Sequence, residues 1–348
     1  MRAFNYEALA KKAWDNETTM LVAKIHECKG RQELFLAQKP AELGRLLNIA
    51  KIQSTTASNK IEGIVSTKSR IQQLCEEKTM PRNRNEEEIS GYRDALATIH
   101  ENFEYIPINT NHILQLHQIL YQHSGRGIGG RFKNVQNYIS ETRADGTSFV
   151  RFTPLAPFET PEAMDALCES YNRAIDDGRV DALLLIPVFI TDFLCIHPFN
   201  DGNGRMSRLL TTLLLYRSGY VVGKYISLEA KIEKSKDQYY EVLREVSDGW
   251  HEGSNDPTPF IKYLLGIVLS AYRDFEERVN MLEPQKSALE LVQGAVQKKI
   301  GKFTKSEIME LCPTISKSSV ENSLRTLVER GEISMYGKGK GVFYAKNM

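Results

Sequence analysis

The stretch His197-Pro-Phe-Asn-Asp-Gly-Asn-Gly-Arg-Met-Ser-Arg208 decides both the fold and the site of this 348-residue chain. Gly202 and Gly204 lack Cβ atoms, so the backbone between them can turn sharply and approach a phosphate group. From Arg205 to Tyr216 leucines recur on one side of a predicted helix, and neither Gly nor Pro follows until Gly219. We therefore expect phosphates to meet the N–H groups and the positive dipole end of a helix.

The charged side chains of the same stretch fit phosphate chemistry. Arg205 and Arg208 are three residues apart, so on a helix both guanidiniums can reach one polyphosphate. Asp201 is a hard oxygen ligand suited to Mg²⁺ that bridges phosphates. His197 can accept a proton from a hydroxyl near neutral pH. A single His-Pro pair is usually structural and a single Gly-Asn-Gly is usually a tight turn, but the combination predicts a phosphate-transfer site.

The whole stretch resembles the signature of the Fic family, HPFx(D/E)GNGRxxR, with no departure at a specified position. This resemblance implies an enzyme that moves AMP from ATP to a Ser, Thr or Tyr hydroxyl of a target protein and releases pyrophosphate. It implies that His197 is the general base and that Asp201 holds Mg²⁺, while Phe199 packs inward and anchors the loop. The residues implied to hold the phosphates are Gly202, Asn203, Gly204, Arg205 and Arg208.

An upstream segment, Ser58-Asn-Lys-Ile-Glu62-Gly63, resembles the family's inhibitory motif (S/T)xxxE(G/N). From its residues we predict a short helix, with Ser58 as its N-cap and Gly63 at its end. The resemblance implies that this segment, at about 55–63, is an inhibitory helix. By the resemblance, Glu62 pairs with Arg208 and occupies the space that the ATP γ-phosphate needs. The alternative is an ordinary capping box, or a solvated glutamate on a surface helix.

Apolar spacing predicts a mainly helical protein, with helices at 6–14, 18–38, 41–56, 87–103, 111–123, 160–177 and 182–196. The last of these is expected to be a buried central helix that leads to His197. Residues 76–86 are charged and contain Pro81, which predicts an exposed loop. Alternating residues at 131–153, around a turn at Ala144-Asp145-Gly146, predict a β-hairpin. In the Fic family such a flap lies over the active site and pairs with the target segment; the alternative is a surface hairpin without function.

Further along, Tyr239-Tyr240 resembles a tyrosine pair that lies near the nucleotide base in the family. Adjacent tyrosines can equally serve core and rim packing. Some members carry an Asn seven positions after the second tyrosine, where this chain has Ser247, so that contact is in doubt.

Residues 284–348 differ from the rest of the chain, since they carry eleven basic residues against six acidic ones. The pattern predicts three helices, at 288–299, from a capping box at Thr304, and at 318–330, and then two strands, at 332–336 and 342–345. This order of elements predicts a winged helix. Its function is DNA binding or protein docking. We favour docking, because the outward residues Lys317, Asn322 and Arg325 are accompanied by Glu321 and Glu329, which oppose phosphate.

The remaining composition indicates a globular protein, with 41% hydrophobic residues and a net charge of +1. Five cysteines without a CxxC pair indicate reduced thiols in a cytoplasmic protein. No signal sequence is evident, and the most apolar run, 182–196, is too short to span a membrane.

We thus expect three regions: an N-terminal helical region (1–105), a Fic-type catalytic core with a flap (106–282) and a small winged helix (284–348). The expected function is autoinhibited AMP transfer with ATP and Mg²⁺ to a protein substrate, in a monomer or a homodimer. The alternatives are a DNA-binding or adaptor protein whose Fic core senses nucleotide, and removal of AMP at the same site.

Overall fold

The computed structural model describes residues 2–38, 40–142, 145–281, 287–312, 315–337 and 341–347, which form two units divided after Arg278. The helices of the first unit are α1 (Asn16–Gln38), α2 (Pro40–Ile61), α3 (Lys68–Gln72), α4 (Arg84–Asn102), α5 (Thr110–Leu120), α6 (Thr160–Asp177), α7 (Ala182–Ile196), α8 (Asn203–Arg217), α9 (Leu228–Lys234), α10 (Lys236–Ser247) and α11 (Thr258–Met281). The predicted mainly helical fold is confirmed.

Helices α7 and α8 lie at the centre of this unit. Helix α7 begins where the Asp181 side chain accepts a hydrogen bond from the Leu183 N–H, and it is buried on all sides, as its mostly apolar sequence predicts. In α8 the predicted inward leucines are each at most 1% exposed: Leu209, Leu210, Leu213 and Leu214. Burial of a leucine side chain contributes about 1.5–3 kcal/mol, so this pair of helices is a rigid base for the loop that joins them.

The predicted hairpin forms over a shorter range than 131–153. Strands β1 (Ile139–Thr142) and β2 (Ser148–Phe152) pair antiparallel, with Thr142 opposite Ser148. At the turn, the Asp145 carboxylate accepts hydrogen bonds from the Thr147 N–H and hydroxyl, and Gly146 has a φ of 83°. Ala144, the first residue of the predicted turn, lies outside the described residues.

Two local predictions were wrong. Ser58 is not an N-cap, because α2 continues to Ile61 and Ser58 lies buried in its last turns. The predicted loop at 76–86 is shorter, because a π-helical turn runs to Glu77 and α4 begins at Arg84.

The second unit contains α12 (Ala288–Gln297), α13 (Lys305–Leu311) and α14 (Lys317–Glu329), followed by the antiparallel strands β3 (Ile333–Tyr336) and β4 (Phe343–Lys346). Capping boxes begin α12 at Ser287 and α13 at the predicted Thr304. These elements lie close to their predicted positions, whereas the assignment as a winged helix stays a prediction. Lys338 and Lys340, which lie in the sequence between the two predicted strands, are outside the described residues.

All five cysteines are unpaired. Among the described residues, none of the helices combines the length and the apolar character that crossing a membrane requires.

Candidate functional site

The centre of the site is the loop between α7 and α8. His197 ends α7 with a left-handed φ of 52°, and its N–H still bonds the Phe193 carbonyl at 2.9 Å. This conformation turns the chain out of the helix, and for a residue other than Gly it costs about 1–3 kcal/mol unless the surroundings hold it. Phe199 is fully buried and stacks on His117 with 3.7 Å between ring centroids, as its predicted anchoring role requires.

The imidazole of His197 is arranged as a base. Nδ1 lies 3.2 Å from the Leu194 carbonyl oxygen, to which it donates, so the lone pair of the neutral ring is on Nε2. Burial lowers the pKa of His197 to about 4, and the positive charge of Lys133 acts in the same direction, while Glu62 opposes the shift. The ring is therefore neutral at pH 7 and able to accept a proton.

Helix α8 begins directly after the loop and presents an anion site. Its first hydrogen bond runs from the Met206 N–H to the Gly202 carbonyl, so the N–H groups of Asn203, Gly204 and Arg205 point out of the helix end. We call these three N–H groups the anion site. A Cβ on Gly202 would come within 2.9 Å of the Tyr121 hydroxyl oxygen, and Gly202 also has a φ of 86°, so glycine is required there.

The side chain of Asn203 closes the loop on itself. Its Oδ1 accepts from the Phe199 N–H at 2.9 Å, and its Nδ2 donates to the Phe199 carbonyl at 2.7 Å. Because the Asn203 side chain is occupied by these bonds, we expect Asn203 to contact phosphate through its main-chain N–H.

Glu62 lies against the anion site. A Cβ added to Gly204 would be only 2.2 Å from Glu62 Oε1, so this carboxylate occupies the surface that glycine leaves open. The same oxygen accepts from Arg208 Nη2 at 2.8 Å. A carboxylate is favoured at a helix N-terminus and beside a guanidinium for the same electrostatic reason as a phosphate.

Arg208 joins the segment that contains Ser58 and Glu62 to the motif by three hydrogen bonds. Besides Glu62, it contacts Ser58 through Nε to the hydroxyl at 2.8 Å and through Nη2 to the carbonyl at 2.9 Å. Its side chain is 3% exposed. Among the described residues Nη1 of Arg208 is buried without an acceptor, which leaves a donor for a ligand oxygen.

Arg205 has different partners. Its Nη2 lies 2.8 Å from Glu88 and 2.7 Å from the Tyr121 hydroxyl oxygen, and the side chain is 1% exposed. Within the described part of the chain, its Nε and Nη1 have no acceptor. Arg205 lines the same cavity as Arg208, so the predicted contact of both with one polyphosphate uses these remaining donors.

Asp201, the predicted metal ligand, is surrounded by arginines. Its Oδ2 lies 2.6 Å from Arg126 Nη1 and 3.8 Å from Arg84, and its Oδ1 lies 3.8 Å from Arg205. Burial raises the pKa of the Asp201 carboxyl, but the arginines outweigh it and the net shift is downward, so the group is ionised.

A single carboxylate can hold Mg²⁺ only together with other oxygen ligands. The described residues contain no group of three or more His, Cys, Asp or Glu side chains that could hold a metal ion. Mg²⁺ is commonly bound by one or two carboxylates together with phosphate oxygens. Asp201 therefore fits an ion that arrives with a nucleotide, provided that Arg126 moves off the carboxylate.

A cavity of about 730 Å³ joins these groups, which is large enough for a nucleotide. Its walls come from the loop, the segment after α2, the flap and α10. Tyr240 is 44% exposed at its edge, whereas Tyr239 is 3% exposed and packs among aromatic rings, so Tyr240 is the better placed of the two for a base. Ser247 accepts a hydrogen bond from Arg151 of β2 at 2.8 Å.

Sequence reasoning missed several residues that hold the loop. His117 accepts from the Gly130 N–H at Nδ1, 3.1 Å away, and its Nε2 lies 3.1 Å from the Asp201 carbonyl, to which it donates. Burial lowers the pKa of His117 to about 4, consistent with this neutral form. Lys133 and Asn137 contact the loop from the other side. Both lie within the range 131–153 that was predicted as a hairpin, and nothing in that pattern indicated contacts with the loop.

Comparisons with known proteins agree with this geometry. Residues 107–215 match the sequence profile of the Fic/DOC family. The chain is 25% identical over 229 residues to "Protein adenylyltransferase Fic" of Nematostella vectensis. This match covers 63% of this chain and 47% of the relative. The chain is also 26% identical over 256 residues to the protein of the same name from Drosophila erecta, covering 70% of this chain and 46% of the relative. The chain thus spans about half the length of these curated relatives.

Among solved structures, that of a Fic family protein from Desulfovibrio desulfuricans is similar over 97% of both chains, with a TM-score of 0.62 and 21% identity. At this identity the likeness shows the fold alone.

Proposed function

We propose that this chain is an autoinhibited protein adenylyltransferase, a proposal supported by the match of residues 107–215 to the Fic/DOC family profile. It would move AMP from ATP to a Ser, Thr or Tyr hydroxyl of a target protein and release pyrophosphate. The names of the curated relatives support this activity in general. The single observation that carries the autoinhibited form is the Glu62 carboxylate lying on the anion site and on Arg208.

The proposed transfer uses the groups of one cavity. A target hydroxyl gives its proton to Nε2 of His197 as its oxygen forms a bond to the α-phosphorus of ATP. The bond from that phosphorus to the bridging oxygen of pyrophosphate breaks, and the electron pair leaves with pyrophosphate. The N–H groups of the anion site and the guanidinium of Arg208 stabilise the phosphate charges. Mg²⁺, held at Asp201 when bound, would supply further neutralisation of these charges.

Autoinhibition follows from competition for the same donors. Glu62 uses Nη2 of Arg208 and covers Gly204, so a γ-phosphate cannot take both positions while Glu62 stays. Two like charges at one helix end also repel each other. ATP would then bind only with its phosphates displaced from the geometry in which the hydroxyl can attack.

The inhibitory residue is held in place by contacts along α2. Lys236 Nζ donates to the Ile61 carbonyl at 2.7 Å, and Lys60 pairs with Glu233 at 2.7 Å. Ser54 donates to the Ser227 hydroxyl at 2.9 Å. These contacts support a resting state in which the enzyme is off, because they fix the end of α2 beside Arg208.

The test is transfer of label to protein from ATP labelled at the α- or the γ-phosphate. With the Glu62→Gly variant we expect label from α-labelled ATP only, and none when His197→Ala is added. Label from the γ-phosphate would indicate a kinase, and retention of full transfer in His197→Ala would refute the role of the base. Incubation of an AMP-modified protein with the wild-type chain tests the alternative, removal of AMP.

For the C-terminal unit we infer protein docking rather than DNA binding. Lys305 pairs with Glu321 at 2.6 Å and Arg325 with Glu329 at 3.9 Å, so basic groups on and beside α14 are neutralised within the unit. A gel-shift assay at low salt with the full chain should show no retardation of duplex DNA, and a shift that disappears with added salt would contradict this inference. The five unpaired cysteines support a cytoplasmic location.

A further inference from the structure

The segment just before the flap binds the main chain of the catalytic loop. Lys133 donates from its N–H to the Pro198 carbonyl at 2.8 Å and from Nζ to the Ile196 carbonyl at 2.9 Å. Asn137 Nδ2 lies 3.0 Å from the Phe199 carbonyl and 3.4 Å from the His197 carbonyl. Two residues therefore contact four consecutive carbonyl groups on both sides of the base.

The two side chains also bind each other. Lys133 Nζ donates to Asn137 Oδ1 at 3.1 Å, which fixes the amide so that Nδ2 faces the loop. We call this pair the loop clamp. Because the amide oxygen is used by Lys133 and the amide nitrogen by the loop, loss of either residue disturbs the contacts of the other.

Lys133 is an unusual residue for this place. It is 3% exposed, and among the described residues no carboxylate lies within ion-pair distance of Nζ. Burial lowers its pKa to about 8. The negative charge of Glu159 opposes this shift from beyond ion-pair distance, so the buried ammonium depends mainly on the carbonyl dipoles that hold it. The carbonyl end of α7, with its partial negative charge, provides that environment.

The clamp accounts for the conformation of the base. His197 keeps a left-handed backbone that is strained for a non-glycine residue, and the contacts on Ile196, Pro198 and Phe199 hold the chain on each side of it. Asn137 precedes the first residue of β1, Ile139, by two positions. A movement of the flap would therefore displace Asn137, and with it the catalytic loop that Asn137 contacts.

We propose that Lys133 and Asn137 are positioning residues that hold His197 in its reactive orientation and couple it to the flap. The proposal rests on the proposed AMP transfer. Binding of a target segment along the flap would further fix the root of β1 and, through it, the clamp.

The test compares Lys133→Met, Lys133→Arg and Asn137→Ala in the Glu62→Gly background, with Lys224→Met as the control. Lys224 is a partly buried lysine that packs on Phe103, outside the site. We expect Lys133→Met and Asn137→Ala to lower kcat about 10- to 100-fold with the KM for ATP unchanged, since misplacement of a reacting group has effects of this order. Lys133→Arg should restore part of kcat, and Lys224→Met should leave it unchanged.

A second readout needs no turnover. In NMR titrations of the histidine ring, with the His197 signal identified by its loss in His197→Ala, Lys133→Met should raise the pKa of His197. The ring faces two charged groups, Lys133 and Glu62, and in this background only Lys133 remains. Lys133→Arg keeps the charge and should leave the pKa unchanged, as should Asn137→Ala.

The outcomes separate the two proposals. If the Glu62→Gly parent transfers no AMP, the proposed function fails, while the titration still tests the clamp. If Lys133→Met and Asn137→Ala keep kcat within about two-fold of the parent, the clamp is wrong. The clamp proposal is also wrong if these variants lower kcat and the affinity for ATP together. It is wrong as well if the pKa of His197 is the same in Lys133→Met as in Lys133→Arg. Thermal unfolding shows whether Lys133→Met folds. If it does not, the kcat and the KM for ATP of Asn137→Ala alone decide whether the clamp proposal holds.

Discussion

Replacement of Glu62 by Gly should activate the enzyme by a factor that the structure allows us to bound. The carboxylate makes one charge-assisted hydrogen bond, to Arg208 at 2.8 Å, and lies at the N-terminus of α8. Such a hydrogen bond contributes about 1.5–3 kcal/mol and a helix N-terminus about 0.3–1 kcal/mol, so Glu62 resists displacement by about 2–4 kcal/mol. At about 1.4 kcal/mol per factor of ten, this corresponds to about 30- to 700-fold in rate.

The lower part of that range is expected, because the Glu62 side chain is 30% exposed and water weakens its pairing. The assay is the initial rate of AMP transfer from α-labelled ATP at saturating ATP and Mg²⁺. Glu252→Gly is the matched control, since it removes an exposed acidic side chain in a turn away from the site. Its rate should equal that of the wild type.

A change of less than about three-fold in Glu62→Gly, with ATP binding intact by calorimetry, would refute the reasoning. It would mean that the contact seen between Glu62 and Arg208 does not compete with the nucleotide for the site. Equal activation by Glu252→Gly would point to a general effect of net charge instead.

Three further predictions concern the same site. Ser58→Ala removes one of three hydrogen bonds to Arg208, worth about 1 kcal/mol, and should raise the transfer rate about five-fold, less than Glu62→Gly; an unchanged rate would contradict it. Arg126→Ala frees the Asp201 carboxylate and should lower the Mg²⁺ concentration that gives half the maximal rate; a higher concentration would show that Arg126 assists the metal. Because burial lowers the pKa of His197 to about 4, the base stays neutral above that pH, so kcat/KM of an active variant should be flat from pH 7 to about 5.5; an acid limb near 6.5 would contradict this shift.

The sequence predicts those features of the fold and the site that depend on residues close together in the chain, and it fails for contacts between distant residues. The stretch from His197 to Arg208 was predictable because its glycines, its charges and the helices around it are encoded locally. Helix α7 occupies the predicted range 182–196, since no polar face competes with its burial. The pairing of Glu62 with Arg208 spans 146 positions along the chain, and only the resemblance to a family indicated it.

The errors have physical reasons as well. Ser58 has the residue type of an N-cap, but tertiary contacts with Arg208 keep it inside α2, where packing outweighs local propensity. Arg84 and Arg126, which lie beside Asp201, and the clamp residues Lys133 and Asn137 all lie outside the two motifs. Lysine is most often solvated, so nothing in the sequence indicated that Lys133 would be buried on a helix end.

The measurement that tests the central claim most directly is mass spectrometry of proteins incubated with ATP and the Glu62→Gly variant. The account predicts peptides that carry the mass of one AMP on a Ser, Thr or Tyr residue. It also predicts that these peptides are absent when His197→Ala is added and are much less abundant with the wild-type chain. AMP-modified peptides of equal abundance with and without His197, or none with a variant that binds ATP and Mg²⁺, would contradict it.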